Sequence, residues 1–575
     1  MTTSITSGMN QFILSCWDYG SLFISRIVNI IYQVYSLQVF FSKTKKKSPV
    51  NGVPIIPNGT WYGGHLHLMK EGPEEDFRTC LYRYSVEYAD VHGRCTFYMG
   101  PTTPSLSVTR LRDVQLLLKA TAYRTVFPVM EFHAQRFFGR NNLPTLTGNE
   151  WKTKRSIITK ALHGNPFMKH NQTAIHVATE TLVKQLKNKI LIAEDDVAGG
   201  KIKLDVAQLM KVLTFDAFGQ AALHVDFECC RNLQLSKIGK EFEFLSNELM
   251  RRITKDLLNP SSHIYCLPTE SNRRFRDAKT YVESYIGKFI KERRQLIRSQ
   301  SDQNNQSKIP QDLLTSLIQA TSSSSSSSDD NIKGKNLVVV DENEEGEEMS
   351  ILLDHLKTLL FAGHDTTSVA LTYTLYLLSQ QPDVERKCLN EIQQQTSTTT
   401  SSSSFDCGGD SMPYLEAVIM ETLRLYPPVI STTRTLERDF ELKQDEMSTT
   451  RTTIHIPKGT YLYFPIWIIQ RDDKNFDDPL IFRPERWMTG DGNSSSLDAN
   501  KRNMLLSFSA GGRSCAGAKF ARQELKIALS ILLKHFSFKA QEDYVLTPHR
   551  PGIVQLPKGG VPMYISIRQN MEEYY

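Results

Sequence analysis

At 575 residues, with 40% hydrophobic and 23% charged side chains, the chain has the balance of a globular protein able to bury a sizeable core, which excludes global disorder. Lys and Arg total 68 against 62 Asp and Glu, a net charge of +6 that is small for this length and carries no nucleic-acid signature. The nine cysteines are scattered, odd in number and free of any C-x-x-C pair, which argues against a zinc site or a disulfide framework and fits a reducing compartment.

Residues 1–48 read as a membrane anchor or targeting segment. Between Gln11 and Phe41 the chain is largely apolar, but Asp18 and Arg26 interrupt it, and its uncharged runs fall short of the roughly 18 residues that mark a clean spanning helix. Lys43, Lys45, Lys46 and Lys47 follow at once, and such a basic cluster favours a cytoplasmic C-terminal side. A cleaved presequence is the alternative, because the first 17 residues are uncharged and contain Ser and Thr. Pro49, Pro54 and Pro57, with Gly59, Gly63 and Gly64, read as a stiff hinge ahead of a single domain over 49–575.

Helical periodicity dominates thereafter, as over 273–297, where apolar residues recur at three- and four-residue spacing between charges. Trp151 and Arg155 stand one helical turn apart. Three polar low-complexity segments, 321–348, 396–411 and 490–500, are expected to be disordered insertions, since they cannot bury enough apolar area to offset chain entropy. They fall between motifs and so are loops, not domain boundaries. A long apolar-periodic helix is predicted around Ala362-Gly363-His364-Asp365-Thr366-Thr367, where Gly363 lets a ligand approach the backbone and the Thr366 hydroxyl competes with the helical ladder. Taken alone, these are more often packing features. Glu421 and Arg424 share a helix face at i,i+3 spacing, a weak signal by itself, and Phe482-Arg-Pro-Glu-Arg486-Trp487 follows. His163, His355 and His364 show no metal-ligand spacing and read as structural or solvent-facing.

The strongest signal is Phe508-Ser-Ala-Gly-Gly-Arg-Ser-Cys515-Ala-Gly517 followed by an amphipathic helical pattern. A Cys at the start of a helix has its thiolate favoured by free N–H groups and the positive helix end. Gly511 and Gly517 permit tight backbone and close approach to a flat ligand. The pattern F-x-x-G-x-R-x-C-x-G resembles the haem-binding signature of cytochromes P450, and five fixed residues in ten arise by chance in roughly one such chain in several thousand.

That resemblance implies a mainly α fold with small β-sheets (α+β), one haem-containing catalytic domain, and haem b (iron protoporphyrin IX) ligated axially by Cys515. It implies haem contacts from Trp151, Arg155, Arg434, Phe508, Arg513 and Gly517, a buried structural network of Glu421, Arg424 and Arg486, and a role for Asp365 and Thr366 in delivering protons for dioxygen activation. Ala362 stands where some relatives carry an acid that esterifies haem. Gln470 replaces a His common among relatives, at a position expected to be peripheral.

The implied reaction inserts one oxygen atom of O2 into a hydrophobic substrate, by hydroxylation or epoxidation, at the endoplasmic reticulum membrane, cytosolic face, or at a plastid or mitochondrial membrane. The wording around Asp365 and Tyr426 leans toward fatty-acid hydroxylases. No flavin or nicotinamide fingerprint is present, so electrons derived from NADPH are expected through an NADPH-cytochrome reductase or a ferredoxin-type donor. Lys519, Arg522 and Lys526 are expected to form a cationic docking face for it. The rival readings are a reductase-independent isomerase or peroxide-rearranging enzyme and a non-catalytic haem sensor; retention of Asp365 and Thr366 favours the monooxygenase.

Overall fold

The computed structural model describes residues 48–56, 85–99, 103–124, 128–193, 200–258, 265, 269–301, 309–325, 342–398, 411–443, 453–489, 496–549 and 554–568. The expected anchor, apart from Ser48, lies outside them. Among the described residues no helix is long and apolar enough to cross a membrane.

Helices of ten or more residues carry the architecture. The first six are Leu111–Ala120 (α1), Pro128–Phe138 (α2), Gly148–His163 (α3), Asn165–Ala193 (α4), Val206–Leu223 (α5) and Lys237–Leu258 (α6). Then come Glu270–Ser301 (α7), Leu313–Ser325 (α8), Glu342–Ser379 (α9), Pro382–Thr398 (α10), Pro413–Leu425 (α11) and Ala518–His535 (α12). The strands are short: Arg94–Met99 (β1), Thr103–Val108 (β2), Lys201–Asp205 (β3), Thr432–Thr435 (β4), Phe440–Lys443 (β5), Thr453–Ile456 (β6), Tyr461–Phe464 (β7), Phe536–Ala540 (β8), Pro548–His549 (β9), Leu556–Pro557 (β10) and Pro562–Ile567 (β11). This is the expected mainly α fold with small β-sheets.

Periodicity explains which helices are central. Along α7 one apolar stripe is buried, Phe275, Ala278, Val282, Ile286 and Ile290, so it lies at the periphery with most of its charges outward and only Arg293, paired with Asp312, turned in. By contrast α5, α11 and the stretch Gln523–Leu533 of α12 are buried nearly all round, and helices apolar on every face must sit inside. The 38-residue α9 packs most extensively on α5 and also meets α11 and α12, which makes it the axis of the large helical core. A second core lies where α1 covers the mixed sheet β1-β2-β7-β4, in which β2 and β7 run parallel and the other pairs antiparallel. The sheet β3-β11-β8 ties the strand before α5 to the strand after α12.

Two boundary expectations change. The proline-rich hinge is docked in its described part: Val50, Val53 and Ile56 are buried, Ile56 N donates to Thr96 O of β1, and Thr96 N donates to Pro54 O. Apolar side chains interleaved with the prolines anchor it. The polar segment 321–348 is helical at both ends, through Ser325 in α8 and from Glu342 in α9, where Glu348 pairs with Arg294 and accepts from Thr321. Residues 396–398 complete α10, and 496–500 include the bridge Met488–Leu497 and the start of a helical turn. The remainder of these three segments lies outside the described residues.

A buried polar knot joins α11 to the loop that precedes α12. Arg424 clasps Glu421 in bidentate fashion at 2.9 Å, Arg486 Nε and Trp487 Nε1 each donate to the same carboxylate at 2.9 Å, and Glu421 and Arg424 are fully buried. The expected network of Glu421, Arg424 and Arg486 therefore forms, with Trp487 as a further donor. Gln470 is not peripheral, as expected, but fully buried. Its amide nitrogen donates to the Leu423 and Arg424 carbonyls at 3.2 and 3.0 Å, and its oxygen accepts from Leu506 N at 2.8 Å. A side chain carrying both a donor and an acceptor is what bridging a helix end to a loop requires.

Glu421→Gln leaves two guanidiniums buried without their shared negative charge, at an expected cost of about 3–5 kcal/mol in chemical denaturation. A loss below about 1 kcal/mol, the range of exposed pairs, would contradict the network reading.

Candidate active site

The loop from Met504 to Gly517 is tightly wound and leaves Cys515 exposed. Cys515 N donates to Phe508 O at 2.8 Å, Ser514 N to Gly511 O at 3.0 Å and Ser509 N to Leu506 O at 2.6 Å, and Ser509 adopts φ 57°. Gly511, at φ 69°, is pressed against the Leu118 carbonyl of α1, where a Cβ would collide with it. Gly517 differs: its φ is −90°, and a Cβ there would meet nothing within 4 Å. Neither strain nor protein packing demands glycine at 517, so the open space beside it is room for a ligand.

Cys515 is exposed, in contrast to the buried Cys95, Cys229, Cys230 and Cys388. Desolvation raises the thiol above its ordinary value, against the opposing effects of the Gly517 N–H and the Arg155 guanidinium. Protein groups alone therefore favour the thiol, and a bound metal ion would supply the charge that favours the thiolate.

Four guanidiniums converge beside this loop. Arg155 donates to Ser514 O at 2.7 Å and acts electrostatically on Cys515. Arg513 donates to Ala122 O and Leu146 O at 2.8 and 2.7 Å and lies 4.1 Å over the buried Trp151 ring. Arg434, fully buried on β4, donates to Thr432 Oγ1, Thr433 O and Ser509 Oγ, but its Nε has no partner. Arg124 reaches the Thr432 hydroxyl at 3.3 Å, and its Nε is likewise buried and unpartnered. Burial first, then mutual repulsion with Arg124, pushes Arg434 and Arg513 down to about 9. Among the described residues no carboxylate acts on any of the four.

Four uncompensated cations with two orphaned N–H groups call for an anionic ligand, and planar guanidiniums suit carboxylates. Haem b, with two propionates and an iron for Sγ, fits this donor set. Arg124 escaped the sequence reading because no motif spacing singles it out.

On the distal side, Ala362 is exposed while its neighbours are not, and Thr366, one turn on, donates to the Ala362 carbonyl at 2.6 Å. The two residues mark an open face of α9. Gly363 serves packing and not, as expected, ligand approach: a Cβ there would stand 3.2 Å from Phe218 of α5 and 4.0 Å from Phe520 of α12. Burial pushes the Asp365 carboxyl up to about 6, opposed by Lys211 and reinforced by Glu243, and those two side chains are themselves paired. His364 is buried, 2.9 Å from Thr214 Oγ1 and edge-on to Phe215, and burial pushes it down to about 3, so it is neutral and structural. His355 is buried as well, whereas His163 is exposed, with Nε2 3.2 Å from Ala516 O.

The expected docking trio does not stand as a free cationic face. Lys526 is buried, 3.1 Å from Glu416 and donating to Ser411 O at 3.0 Å, and Arg522 lies 3.7 Å from the same Glu416 and 5.1 Å over Phe508. Glu416, projecting from α11, draws both inward; Lys519 alone is exposed.

Arg124→Gln or Arg434→Gln removes one charge-assisted partner worth about 1.5–3 kcal/mol, so transfer of haem to an excess of acceptor globin should accelerate roughly ten- to a hundredfold. Unchanged transfer would contradict the anion-site assignment.

Comparison with known proteins bears on the same residues. The family model for Cytochrome P450 matches residues 54–562. The chain is 25% identical over 488 residues to Cytochrome P450 4F6 of Rattus norvegicus, covering 84% of this chain and 82% of that protein. It is 26% identical over 390 residues to Cytochrome P450 4ae1 of Drosophila melanogaster, with 68% and 69% covered, and 23% identical over 520 residues to Cytochrome P450 4F3 of Homo sapiens, with 88% and 89% covered. With the match running from the segment docked on β1 to the last strand, the chain belongs to the cytochrome P450 family of haem-thiolate monooxygenases.

Proposed function

We propose that this chain oxygenates a hydrophobic substrate at a C–H or C=C bond, with Cys515 as axial ligand and electrons passed from NADPH by a separate reductase. The observation that carries the reading is the set of four guanidiniums beside Cys515, Arg434 fully buried and the other three half-buried, on which no carboxylate acts among the described residues. The apolar stretch before Lys43 supports work at the endoplasmic reticulum membrane, on its cytosolic face.

Bound haem supplies the iron at which dioxygen is reduced, and thiolate ligation favours O–O cleavage. The chain's own residues hold it and manage protons. Arg124, Arg155, Arg434 and Arg513 would take the propionates, with Arg513 lying over Trp151, while Phe508 would cover the approach to the sulfur and Gly517 would leave room for the macrocycle. Asp365, at about 6, lies near neutral pH, so it both takes up and releases a proton readily. The Lys211–Glu243 pair, with Glu243 a quarter exposed, links it toward solvent. Thr366 Oγ1 is tied to its own helix through the Ala362 carbonyl, and release from that bond frees the hydroxyl to orient a proton donor on the open face of α9.

With reductase, NADPH and isotopically labelled dioxygen, each product molecule should carry one labelled atom, and none should come from labelled water. Equal turnover of a lipid peroxide without NADPH or reductase would overturn the monooxygenase reading in favour of the rearranging enzyme. Asp365→Asn should slow product formation by about 10²-fold or more and remove the ionisation near 6 from the pH profile, whereas an unaltered profile would exclude Asp365 as the proton carrier.

A further inference from the structure

Between α9 and α12 one acid is buried with nothing to neutralise it. Glu524 lies nine residues after Cys515 and is 1% exposed, and neither of its carboxyl oxygens has a hydrogen-bond partner. Facing it is Thr367, 2% exposed, whose hydroxyl is also without a partner. The two groups are near enough to interact but stop short of hydrogen-bond geometry. The helix faces match: Gly363 and Thr367 are one turn apart on α9, Phe520 and Glu524 one turn apart on α12, and Gly363 is the glycine whose Cβ would meet Phe520. The adjacent face of α9 carries Ala362 and Thr366.

No charge is at hand for this carboxyl. Helix α12 packs on α4, α9, α10, α11 and β8, and no charged side chain from any of them acts on Glu524. From α4, Asn171 is bound to Gln523; from α11, Glu416 is occupied by Arg522 and Lys526 of α12 itself; on α9, Asp365 answers to Lys211 and Glu243. An ionised carboxylate here would carry its full desolvation penalty, while the neutral acid carries less and gains an O–H to donate.

We propose that Glu524 is a positioning residue that keeps its proton in the folded enzyme and pairs with the Thr367 hydroxyl, clamping the helix that follows Cys515 to the distal helix beside Thr366. The proposal rests on Cys515 and Thr366 bounding one haem site. Loss of the proton leaves an anion buried between the two helices, which disturbs both sides of that site at once. Burial pushes Glu524 up to about 8, and the Thr367 hydroxyl lowers it. The folded form then keeps a proton that the unfolded chain sheds, so stability falls as pH rises from the ordinary glutamate range through about 8 and levels off above it.

The test uses the haem-loaded full chain. The infrared difference spectrum of wild type against Glu524→Gln should show a protonated-carboxyl band present only in wild type. The ferric Soret band of wild type should titrate with a midpoint of about 8, and this titration should be absent in Glu524→Gln. Thr367→Val should move the midpoint upward and Thr367→Ser should restore it, which keeps the proposal testable if the glutamine variant does not fold. A titration identical in wild type and Glu524→Gln, a missing carboxyl band, or a midpoint unmoved by Thr367→Val would each overturn it. An error in the Cys515 assignment would instead alter the ligation spectrum and leave the carboxyl band and the pH dependence of unfolding in place.

Discussion

Positive charge buried without a counter-charge is the constraint on which the rest of this structure depends. Arg124, Arg155, Arg434 and Arg513 come from the segment after α1, from α3, from β4 and from the cysteine loop, so four separate parts of the fold must deliver like charges to one place. Isolated, that assembly is unfavourable, as the lowered values of Arg434 and Arg513 record. A ligand bearing two carboxylates and a metal cation would resolve both halves of the problem, its carboxylates neutralising the guanidiniums and its metal favouring the thiolate form of Cys515. Haem is therefore part of what the chain folds around as well as what it works with, in the sense that a bound group stabilises the state that binds it.

The loop presenting Cys515 is held from behind by polar groups that would be costly to leave unpaired. Glu421 collects donors from Arg424, Arg486 and Trp487, and Gln470 ties the end of α11 to Leu506 at the start of the loop. Satisfied networks of this kind specify one geometry more than they add stability. From the opposite side the Leu118 carbonyl of α1 bears on Gly511. Between these two supports the sulfur has one place to be.

Much of this was legible in the chain because local chemistry and final position coincide. The stripe of α7 follows directly from three- and four-residue spacing, and in the loop around Cys515 the turn against α1 requires the glycine at 511. What escaped was set by distant partners. Arg124 is an unremarkable arginine until β4 places Thr432 and Arg434 beside it. Lys526 has the spacing of a surface cation, yet Glu416 of α11 draws it inside. Gly363 sits in a motif that suggests ligand approach, but Phe218 and Phe520 occupy the space. Gln470 departs from the common residue and still performs a central task, because an amide can donate and accept at once.

The most direct test of the account is the absorption spectrum of the reduced, carbon monoxide-bound protein, recorded for wild type and for Cys515→Ser after haem loading. Wild type should give the long-wavelength Soret band of an iron ligated by thiolate, and the serine variant should lose it while retaining the other signatures of folded protein. The same band at full intensity in the serine variant would contradict the assignment of Cys515 and the site built around it.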